Sequence, residues 1–173
     1  LGRLNHDKGI GELYDAFNRL VPECPKAKLL LYGNDEEGYD ELVPNYANIK
    51  KGENYFYPGR TNTPYDALQC GDVFVLPTWR EGFGMSVIEA QALGLPVITS
   101  DAYGVCDASV PNETGLRCRV NDAIGLYTCM KEYYQHPEKR KEHGIAGRRR
   151  VEQFFDRNIV TQAWVDFYNN LLK

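Results

Sequence analysis

Val73-Phe74-Val75-Leu76-Pro77-Thr78-Trp79-Arg80-Glu81-Gly82-Phe83-Gly84-Met85-Ser86-Val87-Ile88-Glu89-Ala90 is the stretch that decides the fold. Its first four residues are a short apolar run closed by Pro77, the pattern of a buried strand. Residues 84–93 then follow a helical pattern, with Gly94 at the stop and Pro96 just beyond. Gly82 and Gly84 flank Phe83 where loop turns into helix, so backbone can approach a ligand closely there. Strand, glycine loop and helix in this order form one unit of a parallel sheet.

The same alternation extends in both directions. Residues 1–4 read as the tail of a strand whose beginning is missing. Residues 9–21 carry a helical stripe of Ile10, Leu13, Ala16, Phe17 and Leu20, stopped by Pro22 and Pro25. Residues 27–32 are a strand ending at Gly33, and 55–57 another ending at Pro58-Gly59. Residues 38–47 are a weak helix because of Pro44, whereas 64–70 form a short helix with Pro64 at its start. Residues 97–99 and 115–120 are further strands. From Asp122 the pattern is helical, punctuated by His136-Pro137, Gly144 and Gly147. This order predicts an α/β fold, a Rossmann-like doubly wound parallel sheet with flanking helices on both faces. Such sheets bind ligands outside the carboxyl ends of their strands. Functional residues are therefore expected just after positions 4, 32, 57, 76 and 99.

Composition narrows the function classes. The 173 residues suit one domain, and 43% hydrophobic with 25% charged residues is ordinary for a globular protein. No apolar run approaches the roughly 20 residues of a membrane helix. A net charge of −4 argues against a nucleic-acid partner. The chain opens inside a motif, so a longer parent protein is expected. Cys24, Cys70, Cys106, Cys118 and Cys129 are odd in number and include no C-x-x-C pair, which predicts reduced thiols packed as small hydrophobes in a cytoplasmic protein. With His6, His136 and His143 they offer no metal-ligand spacing.

The expected ligand edge carries specific chemistry. A helix beginning at Gly84, Met85 and Ser86 presents unpaired N–H groups and partial positive charge, a ready anion site. Glu89 lies about one turn further on. A carboxylate there repels phosphate but suits a neutral diol such as ribose. Arg3 and Lys8 sit at another edge loop, placed to clamp a diphosphate and stabilise it as a leaving group. The chain contains no D-x-D, the usual carboxylate pair for a metal-bridged diphosphate, so cations and a helix dipole would replace the metal.

These residues carry a resemblance. Gly2-Arg3-Leu4 followed by Lys8-Gly9 resembles the opening motif of the C-terminal domain in glycosyltransferase family four. Glu81 and Glu89, separated by seven residues, resemble that family's paired glutamates. Segments 29–33, 58–59, 71–77, 94–100 and 112–116 fall in the family's order, so the resemblance covers nearly the whole chain. It implies the C-terminal half of a GT-B fold. Residues 1–173 would be the nucleotide-sugar donor domain with its first strand truncated, and the N-terminal acceptor domain would lie outside the chain. Arg3 and Lys8 would then contact the diphosphate, amides around Gly84, Met85 and Ser86 the phosphates, and Glu89 the ribose. Glu81 would be the catalytic residue at the donor sugar, with Gly33 and Arg60 near the base. The implied reaction is retaining, metal-independent hexosyl transfer to a glycan or lipid-linked acceptor, as in polysaccharide biosynthesis. It would occur in the cytoplasm or peripherally at a membrane, and the isolated fragment would be inactive. A GT-B-like sugar-nucleotide epimerase and a non-catalytic nucleotide-binding module remain alternatives.

Other features have plainer readings. Residues 139–141 and 148–150 form a basic stretch, expected to be a solvated helix surface, with an acidic membrane or the missing domain as the alternative partner. The twelve tyrosines and Trp79 are expected to anchor packing and loops. Asp101, Tyr103 and Asp107 occupy a ligand-edge loop without an assigned role.

Overall fold

The computed structural model describes residues 1–172. Its strands are β1 (Leu29–Leu30), β2 (Tyr55–Phe56), β3 (Phe74–Leu76), β4 (Val97–Ser100) and β5 (Gly115–Cys118). The α-helices are α1 (Ile10–Leu20), α2 (Tyr39–Leu42), α3 (Pro64–Gln69), α4 (Met85–Ala92), α5 (Ala123–Gln135), α6 (Pro137–Phe154) and α7 (Arg157–Leu171). Every pairing between these strands is parallel, with β1 on β2 and β3, β4, β5 in that order. Parallel strands need crossovers on the faces, and the side chains show both faces covered. In β4, Ile98 joins the core with α1 and α5 (Phe17, Leu126, Tyr133), whereas Val97 joins Val87, Ala90 and Val151 of α4 and α6. Phe74 and Leu76 of β3 belong to the second core, and Val73 and Val75 lean on the first. This alternation is the period-two geometry of a strand between two apolar layers.

Several sequence expectations need correction. The helix anticipated over 38–47 is one turn of α2 followed by a 3₁₀ turn at Val43–Asn45, because Pro44 cannot donate to a continuing helix. Residues 1–4 are extended but carry only an isolated parallel bridge from Leu4 to Asp35. Gly144 and Gly147 do not interrupt α6. They are points of close approach: a Cβ on Gly144 would lie 2.1 Å from the Gly94 carbonyl oxygen, and one on Gly147 3.0 Å from Gln91 Cγ. Helix α6 therefore lies hard against α4.

The ladder is interrupted between β1 and β3, giving a two-stranded and a three-stranded sheet in place of one. Both strands line a single largely apolar cavity of about 740 Å³, together with Leu1, Phe17 and Met130. Among the described residues no helix is long and apolar enough to cross a membrane. The cysteines are free thiols, but only Cys24 and Cys118 are buried and Cys70 is exposed, so the reading of all five as core hydrophobes fails at Cys70. Burial pushes the Cys118 thiol up to about 12. The basic stretch is largely engaged within the chain. Lys139 pairs with Glu132, Arg148 with Glu152, and Arg140 and Arg150 donate to backbone carbonyls. Tyr14, Tyr55 and Tyr133 are core residues, as expected of packing anchors, and Tyr14 and Tyr55 share a 2.8 Å hydroxyl contact.

Buried His143 ties α6 to α5 through a 2.8 Å contact between Nδ1 and the Tyr133 hydroxyl. Burial first, then nearby Lys139, lower its pKa below the ordinary imidazole value, against a smaller opposing effect of Glu142. The unfolded chain therefore takes up this proton at a higher pH than the folded one. The stability that neutral His143 supplies is complete above about pH 6.5 and is lost as pH falls through the lower folded-state value. Urea midpoints measured from pH 7.5 to 5 should fall less in His143→Asn than in the parent. Equal falls would show that His143 does not contribute.

Candidate functional site

The loops at the carboxyl ends of the strands form a continuous row of backbone contacts. At one end Gly33 donates to the Gly59 carbonyl at 2.9 Å, next to Arg60. Gly33 also abuts the chain start, since a Cβ there would sit 1.6 Å from the Gly2 carbonyl oxygen. Gly9 lies against Pro77, where a Cβ would sit 2.1 Å from the carbonyl oxygen, and adopts a left-handed φ of 67°. Gly104, at φ 95°, would place a Cβ 2.0 Å from the Glu81 carbonyl oxygen. These glycines are required because backbone touches backbone at each crossing and all three have positive φ. The expected edge positions after residues 4, 32, 57, 76 and 99 thus meet in one line.

Lys8 and Glu81 come together on this line. Lys8 Nζ lies 2.6 Å from Glu81 Oε2, with both side chains about four-fifths buried, at 18% and 19% exposure. A pair this sheltered is held more firmly than a surface ion pair, and removing either partner strands a charge. Glu81 also accepts from the Gly82 N–H at 3.1 Å. The ammonium has two further donors with which to meet an incoming anion. Arg3 is engaged differently. Its guanidinium contacts Glu36 at 3.3 Å while remaining 61% exposed, so a ligand can displace that contact at little cost. Arg3 and Lys8 border the same small crevice, along with Leu76 and Pro77.

Helix α4 begins at this edge. Gly84 caps it with φ 87° and no side-chain hydrogen bond, and Met85 projects into solvent. Val105 packs behind Gly84, 3.1 Å from where a Cβ would lie. The first-turn N–H groups of Met85 and Ser86 have no acceptor among the described residues. Glu89 is half-buried on α4 and makes no ion pair with Arg3 or Lys8. Arg60 is exposed at the far end of the row. Among the described residues no group of three or more His, Cys, Asp or Glu side chains is placed to hold a metal ion.

Sequence reading missed several participants. Glu36 accepts from both Arg3 and Asn5, at 3.3 and 2.9 Å, and Glu37 accepts from the His6 N–H. The only signal was the acidic run Asp35-Glu36-Glu37 directly after Gly33-Asn34. Trp79 packs on His6 with ring centres 4.5 Å apart and anchors its loop by donating its backbone N–H to the Asp7 carbonyl. Asp101 is structural, accepting from the Val120 N–H at 2.7 Å. The Asp107 carbonyl accepts from Arg150, and Tyr103 is almost wholly exposed.

A parallel sheet covered by helices, with its carboxyl-edge loops crossing in one row, has the Rossmann-like architecture of the C-terminal half of a GT-B glycosyltransferase. The family model for group 1 glycosyl transferases matches residues 1–150, and the chain belongs to that family. The capsular polysaccharide biosynthesis glycosyltransferase CapM of Staphylococcus aureus is 34% identical over 173 residues, which is all of this chain and 46% of CapM. The chain thus spans about half the length of the curated relatives it matches. Sucrose-phosphate synthase of Thermosynechococcus elongatus superposes with a TM-score of 0.85 at 28% identity, over 99% of this chain and 45% of that one. Anabaena Alr3699/HepE in complex with UDP-glucose shares the fold, with a TM-score of 0.86 at 19% identity over 98% and 48% of the two chains.

The crossing at Gly9 yields a direct test. Gly9→Ala should destabilise the chain by roughly 1–3 kcal/mol, because a Cβ meets Pro77 in a left-handed conformation. Gly11→Ala, in open space within α1, should be stabilising by about 0.5–1 kcal/mol. Urea denaturation of both variants checks the contrast, and similar midpoints would contradict the tight crossing.

Proposed function

We propose that this chain is the donor-binding half of a retaining glycosyltransferase of the family-four type. In the whole protein it would take a hexosyl group from a nucleoside diphosphate sugar and pass it to a glycan or lipid-linked acceptor. The observation that carries this reading is the Lys8–Glu81 pair beside the uncapped start of α4. Phosphate oxygens suit the free amides of Met85 and Ser86 together with the remaining donors of Lys8 and Arg3. These cations stabilise the diphosphate as it leaves, without a divalent metal. Glu81, adjacent to that charge, holds the sugar hydroxyls or balances the positive charge developing at the anomeric carbon. Glu89 takes the ribose diol, and Gly33 and Arg60 border the base. HepE, of the same fold, was crystallised with UDP-glucose, a donor of this chemical class. The acceptor site belongs to a second domain, so this half alone binds donor without turning it over. Free thiols fit a cytoplasmic reaction, peripheral to a membrane when the acceptor is lipid-linked.

Calorimetry with UDP, GDP and ADP should find one that binds, with an affinity unchanged by EDTA. Arg3→Ala and Lys8→Ala should each weaken that binding by roughly 1.5–3 kcal/mol. Loss of binding on chelation, or unaltered affinity in both variants, would remove the cationic clamp from the mechanism.

The same reading places a first strand in the cavity between β1 and β3, supplied by polypeptide leading into Leu1. Leu29 and Leu31 donate to the Asn54 and Phe56 carbonyls, so Leu30 and Tyr32 direct their backbone groups to the cavity. Gly2 and Leu4 already donate to the Tyr32 and Asn34 carbonyls at 2.9 and 2.8 Å. Continuing that parallel register, the residue just before Leu1 donates to the Leu30 carbonyl and accepts from the Tyr32 N–H. Across the cavity Phe74 donates to the Pro96 carbonyl, which leaves Val75 facing inward. In the whole protein the Leu30, Tyr32 and Val75 amides should exchange hydrogen as slowly as that of Leu31. Exchange at the rate of exposed loops would exclude the inserted strand.

A further inference from the structure

Two buried hydroxyls lie where the carboxyl-edge loops cross, and the donor reading uses neither. Thr78 follows β3 by two residues, Ser100 ends β4, and both are fully shielded from solvent. A hydroxyl in such a place needs a partner, since burying it unpaired is costly. Thr78 Oγ1 lies 2.7 Å from the carbonyl oxygen of Asp7 and 2.8 Å from that of Arg80. Ser100 Oγ donates to the carbonyl of Thr78 itself. The Trp79 N–H joins the same knot, donating to the Asp7 carbonyl at 2.8 Å.

The neighbours of these carbonyls give the knot its meaning. Asp7 directly precedes Lys8, and Arg80 directly precedes Glu81. One hydroxyl, its single proton shared between the two carbonyls, therefore spans the two backbone positions from which the ion pair is launched. Gly9 against Pro77 limits how closely the two loops approach, and Thr78 limits how far they separate. Ser100 fixes the Thr78 peptide to the end of β4, the most deeply buried strand, so the knot rests on a rigid element.

We infer that Thr78, braced by Ser100, is the positioning residue that holds Lys8 and Glu81 at bonding distance. Its consequence for donor binding rests on the function proposed above, but its geometry belongs to the free protein. Thr78→Val keeps the volume of the side chain and removes its donor. Asp7 then retains the Trp79 N–H, whereas the Arg80 carbonyl loses its partner and the turn carrying Glu81 is released.

The test has one arm without ligand and one with it. In the first, a double-mutant cycle of Lys8→Met and Glu81→Gln is measured by urea denaturation with Thr78 intact and as Thr78→Val. The intact background should show an unfolding constant coupled through this pair, and the coupling factor should fall to about one in Thr78→Val. Thr78→Ser should restore it, and Ser100→Ala should reduce it. Should Thr78→Val fail to fold, the Ser100→Ala and Thr78→Ser backgrounds decide. In the second arm, UDP, GDP and ADP are titrated into the parent chain, and the one that binds is then titrated into each variant. Thr78→Val should weaken binding at least tenfold at a temperature where it is fully folded. Leu126→Ala, a core truncation in α5, should destabilise the chain yet leave the affinity within twofold. Unchanged Lys8–Glu81 coupling in Thr78→Val, or a Thr78→Ser variant as impaired as Thr78→Val, overturns the positioning role. Failure of all three nucleotides to bind the parent overturns the donor reading instead, and the coupling arm still rules on Thr78.

Discussion

Strand β4 is the constraint on which the rest of the molecule depends. Its four residues are buried on both faces and bonded on both edges, to β3 on one side and β5 on the other. A strand so enclosed tolerates only side chains that fit two cores at once, which is why Val97 and Ile98 point to opposite layers. Its far end is different in chemistry. Thr99 and Ser100 are polar and equally buried, and they find partners in Ser109 and in the Thr78 carbonyl. The apolar half of the strand organises the layers, and the polar half carries that order to the ligand edge.

The edge inherits its precision from backbone packing more than from side chains. Where Gly9 meets Pro77 and Gly104 meets Glu81, no Cβ can intervene, so the loops have little freedom to slide. Charged groups mounted on such loops are preorganised, and preorganised groups meet a ligand without first having to rearrange. The free protein keeps its cations occupied in the meantime. Arg3 rests on an exposed glutamate and Lys8 on a sheltered one, and this difference in shelter sets how readily each is surrendered to a ligand.

Much of this was legible beforehand, for identifiable reasons. The strand at 73–76 and the helix after Gly84 announce themselves because proline and glycine punctuate them and their apolar spacing has only one reading. The stripe of Ile10, Leu13, Phe17 and Leu20 became α1 because a one-sided helix must bury that side. Less legible was the meaning of an isolated glycine. Gly144 and Gly147 look like helix breakers in a sequence, yet in α6 they are the places where the turn after α4 and α4 itself come closest. Propensity spoke locally, and a neighbouring helix overruled it.

By itself the sequence determined the order of strands and helices and the parallel pairing of the strands. Those follow from periodicity and punctuation, which are local properties of a chain. Tertiary structure alone decided which charges meet. Lys8 and Glu81 stand seventy-three positions apart, and Arg3 and Glu36 thirty-three. Nothing in spacing or composition pairs them, because the distance between two side chains is set by how their loops cross. Thr78 is the clearest instance. In the sequence it is one residue after a proline, and in the fold its single hydroxyl reaches two carbonyls from different loops that only close packing brings within reach.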